Sequence, residues 1–295
     1  MRETVVYKKF LKDLWAPFSA IYILSMVLMA IFAYQIAPDS TSNANQMHLS
    51  IHSKPPGFKV KVLVFKSNYY PSNNRSFFSG DINKTSEIPI QDYKIRSDGA
   101  EIQPYGSPTD YFEFIEASKL QSPLTESSFE KQHLKEKKFL LGTDKYGRDM
   151  LSRLIIGSRI SLSVGFIAVF ISLLIGVFLG ALAGFYGGYF DKGIVWLINV
   201  FWSIPTLLIV IAITLALGRG FWQVFIAVGL TMWVEVARVV RGQVLSLKEK
   251  TFVKAAQTLG YGQMRIIWYH IFPLLIPSLI VISAANFASA ILIES

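Results

Sequence analysis

Cysteine is absent from the 295 residues, so no disulfide framework braces any part of the chain and thiols say nothing about its redox compartment. Charge is scarce as well. Only 17% of the residues are charged and 52% are hydrophobic, a balance too apolar for an ordinary soluble domain. The four histidines, His48, His52, His133 and His270, are dispersed, with no H-E-x-x-H pair and no clustered carboxylates, so no metal site is expected. There is no nucleophile elbow either. These absences leave no catalytic residue to assign, and the chain is not expected to be an enzyme.

What the chain has instead is long apolar runs. A bilayer-spanning helix needs about 20 apolar residues, and five stretches approach or exceed that length: 15–37, 160–186, 193–217, 221–240 and 273–293. The pattern predicts an all-α polytopic membrane protein. Around the spans the formal charge of +9 is unevenly spread. The N-terminal tail carries Arg2, Lys8, Lys9 and Lys12 against Glu3 and Asp13. The stretch after the fourth span carries Arg238, Arg241, Lys248, Lys250, Lys254 and Arg265 against Glu249. Residues 38–140 are nearly balanced, with 13 basic and 12 acidic residues. Excess Lys/Arg beside spans marks the cytoplasmic side, which predicts a cytoplasmic N-terminus and 241–272 loop, with residues 38–157 outside. Membrane orientation then accounts for the charge without a nucleic-acid partner. Residues 34–39 offer no small-residue cleavage site of the A-x-A kind, so the first span is expected to be a retained anchor.

Between the first span and residue 140 lies a polar stretch with short β-like runs at 58–65, 92–95 and 111–115. Turn signals stand at Pro55-Pro56-Gly57, Pro71-Ser72-Asn73-Asn74 and Asp98-Gly99. Residues 38–140 are expected to form a small α+β or mostly β extracytoplasmic insert. Asn74-Arg75-Ser76 and Asn83-Lys84-Thr85 match the glycosylation triplet, a pattern too common by chance to carry weight.

Within the spans, Gly176, Gly180, Gly184 and Gly188 recur every four residues, which places them on one helix face and lets a neighbouring backbone approach. Generic helix packing explains them without any meaning for transport. Pro205, after Trp202-Ser203, predicts a kink in the third span, either lining a pathway or purely structural. Glu235, near the inner end of the fourth run, reads as an i,i+3 ion pair with Arg238 or, alternatively, as a proton relay.

The 241–272 loop holds two amphipathic stretches. Phe252, Ala256 and Leu259 share one face, Gly260 and Gly262 flank Tyr261 as helix stops, and Met264, Ile267, Trp268 and Ile271 align before Pro273 opens the fifth span. This is a helix–turn–helix whose Ala255 and Ala256 are expected to be exposed for close docking. A loop of about 30 residues exceeds the roughly 2–8 of a plain helix connection, so it needs a protein partner or a lipid surface.

Two segments resemble a known family. Val253-Lys254-Ala255-Ala256-Gln257-Thr258-Leu259-Gly260 with His270-Ile271-Phe272-Pro273 is similar to the E-A-A-x-x-x-G…L-P coupling signature of ABC-importer permeases. Lys254 stands where the family has glutamate, and Phe272 where it has leucine. Leu141-Gly142-Thr143-Asp144-Lys145-Tyr146-Gly147-Arg148-Asp149-Met150-Leu151-Ser152-Arg153, followed by Gly157-Ser158-Arg159-Ile160-Ser161-Leu162, resembles the second permease subunit of dipeptide, oligopeptide and nickel importers. The resemblance implies a type I importer permease-like helical bundle over 141–295, preceded by the first helix at 1–37 and the insert at 38–140. It implies that Lys254, Ala255, Ala256, Leu259, Gly260 and Pro273 meet a cytoplasmic ATPase. It also implies a second permease, two ATP-binding cassette subunits that bind ATP and Mg, an external binding protein, and no cofactor in this chain.

Gly142 and Gly147 have P-loop spacing, but Arg148 and Asp149 replace the Lys-Ser/Thr a phosphate needs, so no nucleotide site is assigned. Asp144, Gly147, Arg148, Asp149 and Arg153 read better as a collar at the outer face that pairs internally or meets the binding protein, or merely anchors the second span. Two departures from the family stand out: the segment between the first span and Leu141 is long, and relatives continue past the position of Ser295 into a sixth span. An ion-coupled transporter or channel is the competing reading, disfavoured because the runs contain almost no ionisable residues. Peptides are the expected cargo, with nickel or other small solutes as alternatives.

Overall fold

A computed structural model describes residues 12–66, 75–76, 80–81, 85–96, 98–117, 120, 126–218 and 220–294. The basic tail ahead of Lys12, the turn at 71–74 and the acceptor asparagines Asn74 and Asn83 lie outside the described residues. The chain forms two compact units, Met1–Arg159 and Ile160–Ser295. Among the described residues it is mostly helical with one small and one larger sheet.

In the first unit, helix α1 (Trp15–Ile31) is followed by a short α2 (Ala33–Ile36). The strands are β1 (Phe58–Lys66), β2 (Arg75–Ser76), β3 (Gly80–Asp81), β4 (Thr85–Arg96), β5 (Gly99–Pro104), β6 (Glu113–Glu116) and β7 (Leu134–Phe139). A helix α3 (Glu126–His133) precedes β7. Five strands make an antiparallel sheet in the order β6-β5-β4-β1-β7, while β2 pairs with β3. The expected runs at 58–65, 92–95 and 111–115 fall in or overlap β1, β4 and β6. Alternation on β1 explains how the sheet is covered. Val60 and Val62 point to one face, where they meet Ile51 and Phe139. Leu63 points to the other, into a core with Ile90, Ile102, Ile115 and Phe129 of α3. Lys59 and Lys61 stay exposed on the half of that second face that α3 does not reach. Each large apolar side chain buried this way contributes about 1.5–3 kcal/mol.

In the second unit, helix α4 (Met150–Tyr186), which begins in the first unit, is followed by α5 (Gly188–Trp202), α6 (Thr206–Leu217) and α7 (Phe221–Lys248). Then come α8 (Thr251–Thr258), the single turn α9 (Gln263–Arg265), a π-helical segment Ile266–Ile271, and α10 (Phe272–Glu294). Three helical stretches are long and apolar enough to cross a membrane: Met150–Tyr186, Trp222–Lys248 and Gln263–Glu294. The α5–α6 pair, bent by 92°, can count as a fourth, and Trp15–Ile31 is a shorter apolar helix.

Three expectations are corrected here. Pro205 marks a break rather than a kink: the chain leaves α5 at Trp202 and re-enters helix at Thr206 in a new direction, because proline has no N–H to continue the ladder. Pro273 does not open the last helix, which runs on from the loop. The wider π-turn at Ile266–Ile271 just ahead of it is an adjustment by which membrane helices absorb proline. Gly188 does not share the face of the other three glycines. Helix α4 stops at Tyr186, and Gly187 and Gly188, with φ of 68° and 58°, make a left-handed turn that only glycine adopts at little cost.

The core of the second unit is built around α7. One side packs Val236, Val240 and Val244 on Val177, Ala181 and Phe185 of α4. Another packs Trp233, Val234 and Ala237 on Ile194 and Ile198 of α5. Its N-terminal half packs Ala227, Val228 and Met232 against Val210 of α6 and Ala290 of α10.

Candidate functional site

The loop after α7 is tied to the bundle by its own side chains. In α8, Val253 and Ala256 are one helical turn apart, and both are buried with Ile266, Ile267 and Ile271 of the π-turn and Leu275 of α10. Ala256 therefore does not lie on an exposed docking face, as the motif led one to expect. It is the contact that joins α8 to the last helix. Phe252, Ala255, Leu259 and Lys254 are exposed. Gly260, at φ 80°, allows the turn that closes α8, with the Tyr261 N–H donating to the Ala256 carbonyl at 3.1 Å. Lys254 meets Glu249 at 3.0 Å, and that hydrogen bond holds the Glu249 carboxyl below its ordinary range. The acid that would offset this lysine is thus present in the same chain.

The collar residues form a closed clasp. Asp144 accepts the Arg148 guanidinium at 2.7 Å and the backbone N–H groups of Tyr146 and Arg148, and Arg153 lies 3.8 Å away. Burial opposes charge on Asp144, but these donors outweigh it and hold its carboxyl below the usual range. Asp149 caps α4 by accepting the Ser152 N–H at 2.9 Å. The Ser152 hydroxyl donates to Asp149 and accepts the Asp39 N–H, joining the chain just after α2 to the start of α4. The buried Thr143 hydroxyl donates to the Ile51 carbonyl and accepts the Lys54 N–H. Gly147, at φ 72°, lies against His48, where a Cβ would collide with the His48 carbonyl. The L-G-T-D segment is therefore sewn to residues 45–54 of the same unit.

Of the four glycines, three bring α4 onto α7. A Cβ at Gly176 would lie 2.7 Å from the Trp233 carbonyl oxygen, at Gly180 2.5 Å from that of Ala237, and at Gly184 2.8 Å from that of Arg241. Gly188 has nothing within 4 Å. Near the ends of this seam, Arg241 of α7 holds Asp191 of α5 with two bonds of 2.5 and 2.7 Å. Asp191 was not singled out from the sequence, although a lone carboxylate beside an apolar helix was a signal for it.

Glu235 does not pair with Arg238. The Arg238 guanidinium lies over the Trp202 ring, 3.3 Å from its centroid, and among the described residues Glu235 has no ion-pair or hydrogen-bond partner. It stands at the midpoint of the Trp222–Lys248 helix, not near its inner end, because α7 continues well past Val240. Glu235 is exposed and lines a cleft of about 210 Å³ at the α5–α6 break, with Trp202, Thr206, Thr231 and Ser289.

Residues 176–294 match the family described as "binding-protein-dependent transport system inner membrane component". Over part of its length the chain is similar to importer permeases. The oligopeptide transport system permease protein OppC of Escherichia coli (strain K12) is 46% identical over 154 residues, covering 52% of this chain and 51% of that protein. OppC of Bacillus subtilis (strain 168) is 39% identical over 154 residues, covering 52% and 50%. The dipeptide permease protein DppC of Lactococcus lactis subsp. cremoris (strain MG1363) is 38% identical over 136 residues, covering 46% and 40%. The chain thus spans about half the length of the curated relatives it matches. The permease-family match takes in the glycine seam, the broken α5–α6 pair, Glu235 and the whole coupling loop.

Proposed function

We propose that this chain is the permease subunit of an ATP-driven importer of di- or oligopeptides, spanning the bacterial inner membrane several times. Its N-terminus and the 241–272 loop face the cytoplasm, and the sheet-bearing 38–140 insert lies outside, as the Lys/Arg distribution favours. A second permease subunit completes the pathway, two cytoplasmic ATPase subunits bind ATP and Mg, and an external binding protein delivers the cargo. This chain binds no cofactor and performs no chemistry. Membrane lipid surrounds the exposed apolar faces.

The observation that carries the reading is the two-sided build of α8. Val253 and Ala256 lock it to α4, α7 and α10, so a displacement of α8 moves those helices with it. Phe252, Ala255 and Leu259 face outward, where a partner groove can grip them. The broken α5–α6 pair and Glu235 are features also found in ion-coupled transporters. Both lie inside the permease-family match, however, and are read as parts of its passage.

The test is Ala255→Arg, with Ala256 left alone because it is buried. The variant is expected to keep the wild-type melting temperature while losing co-purification with the ATPase subunits and at least about 90% of peptide uptake, as removal of a central contact does. Normal complex formation and uptake in this variant would remove the coupling assignment.

A further inference from the structure

The cleft at the α5–α6 break has a chemistry of its own. Glu235 is a carboxylate halfway along an apolar helix, a costly position that membrane proteins keep for function. The nearest cation on the same helix face, Arg238, is engaged on the Trp202 ring and does not neutralise it. Thr231 already donates its hydroxyl proton to the Val228 carbonyl at 2.8 Å, so toward the cleft it offers only acceptor lone pairs. Phe201, fixed edge-on against Trp233 at 5.5 Å, supplies an aromatic wall. With Arg238 already stacked on Trp202, the carboxylate, the hydroxyl acceptor and the Phe201 wall remain to attract a positively charged group rich in donors.

We propose that this cleft is a way-station that engages the ammonium group of the cargo, the free amino terminus of a peptide, with Glu235 as the charge partner. This rests on the permease reading and adds what the passage recognises. An ammonium leaving water within a membrane passage needs a compensating anion and acceptors. Glu235 and Thr231 provide them on one wall of the cleft.

The experiment uses the importer assembled with its partner subunits in liposomes, turning over ATP. Dicyclohexylcarbodiimide, which modifies carboxyls in apolar surroundings, is applied with trialanine or with N-acetyl-trialanine, and modification of Glu235 is followed by mass spectrometry. Trialanine, at about ten times the concentration that half-protects, is expected to slow labelling about tenfold, and the acetylated peptide at the same concentration to leave it unchanged. In parallel, Glu235→Gln is expected to lower trialanine uptake by a similar factor, with Glu235→Asp recovering part of it and ATP hydrolysis persisting in both. Equal protection by the two peptides, no protection by either, or undiminished uptake in Glu235→Gln would overturn the station. If trialanine protects Glu235 but the wild-type importer takes up no peptide, the station stands and the peptide-importer function falls.

Discussion

The two units of this chain differ in one use of charge. In the first, charged side chains are set among partners: Asp144 with Arg148 and Arg153, and Glu87 with Lys137 at 2.9 Å. In the second, Arg241 pairs with Asp191 and Lys254 with Glu249, but α4 meets α7 through glycines and backbone, and among the described residues the carboxylate at the centre of α7 has no partner. A paired charge beside a folded loop is explained by the loop it holds. An unpaired carboxylate midway along a membrane-crossing helix is not explained by folding, because removing it would lower the cost of the folded state. The difference separates side chains that build the molecule from one that is available to a visitor.

The largest effect should come from breaking the seam of the second unit. Leucine at Gly180 would drive its Cβ against the Ala237 backbone, 3.0 Å from its Cα, where neither helix can yield without separating. Gly180→Leu is expected to cost more than about 3 kcal/mol, seen as a collapse of folded, detergent-extracted protein. The same change at Gly242, which has nothing within 4 Å, should be tolerated. Equal behaviour at both positions would dissolve the claim that the seam is built on backbone contact.

The first unit should instead answer to pH. Glu87 is partly buried, which opposes its charge, but the adjacent His48 ring and the Lys137 ammonium outweigh burial and bring its carboxyl down to about 2. His48 Nε2 is 3.8 Å away, beyond hydrogen-bond reach, so the 2.9 Å Lys137 contact carries the pairing. A folded-state value below the unfolded one stabilises above the unfolded value, and the gain is lost as pH falls through the folded value. Glu87→Gln should therefore cost about 1–3 kcal/mol at neutral pH. The gap to wild type, read from thermal unfolding, should close as pH falls from about 4.5 to about 2. A gap that does not change with pH would mean that Glu87 acts through packing.

Much of this arrangement is legible in the residues, and the gaps have physical reasons. Period-2 alternation on 58–65 gives β1 because strand faces alternate whatever lies opposite. Four-residue spacing gives the glycine seam but overshoots to Gly188, since spacing carries no information about where a helix stops; the adjacent Gly187-Gly188 pair was the better signal. The fourth span reads short because Arg241 follows its apolar run, yet α7 continues through Arg238 and Arg241. Trp202 and Asp191 accept those cations, and both come from α5, more than 30 positions away in sequence. The coupling motif locates α8 correctly but not its inward face, which depends on where Ile266, Ile267 and Ile271 fall after a turn.

The smallest expected effect is the sharpest test of the comparison. If Glu235 serves only a passing cargo, then Glu235→Gln removes no internal contact, because among the described residues no side chain pairs with it. Its volume is nearly conserved, and a neutral amide at the centre of α7 costs less to desolvate than a carboxylate. The melting temperature should stay the same or rise slightly, with a stability change within about 0.5 kcal/mol. A clear loss would show that the carboxylate is held by something in the folded chain, and Glu235 would then join Asp144 and Glu87 among the charges that build the molecule. No change in stability together with a tenfold fall in uptake is a pair of results that a structural role for Glu235 does not produce.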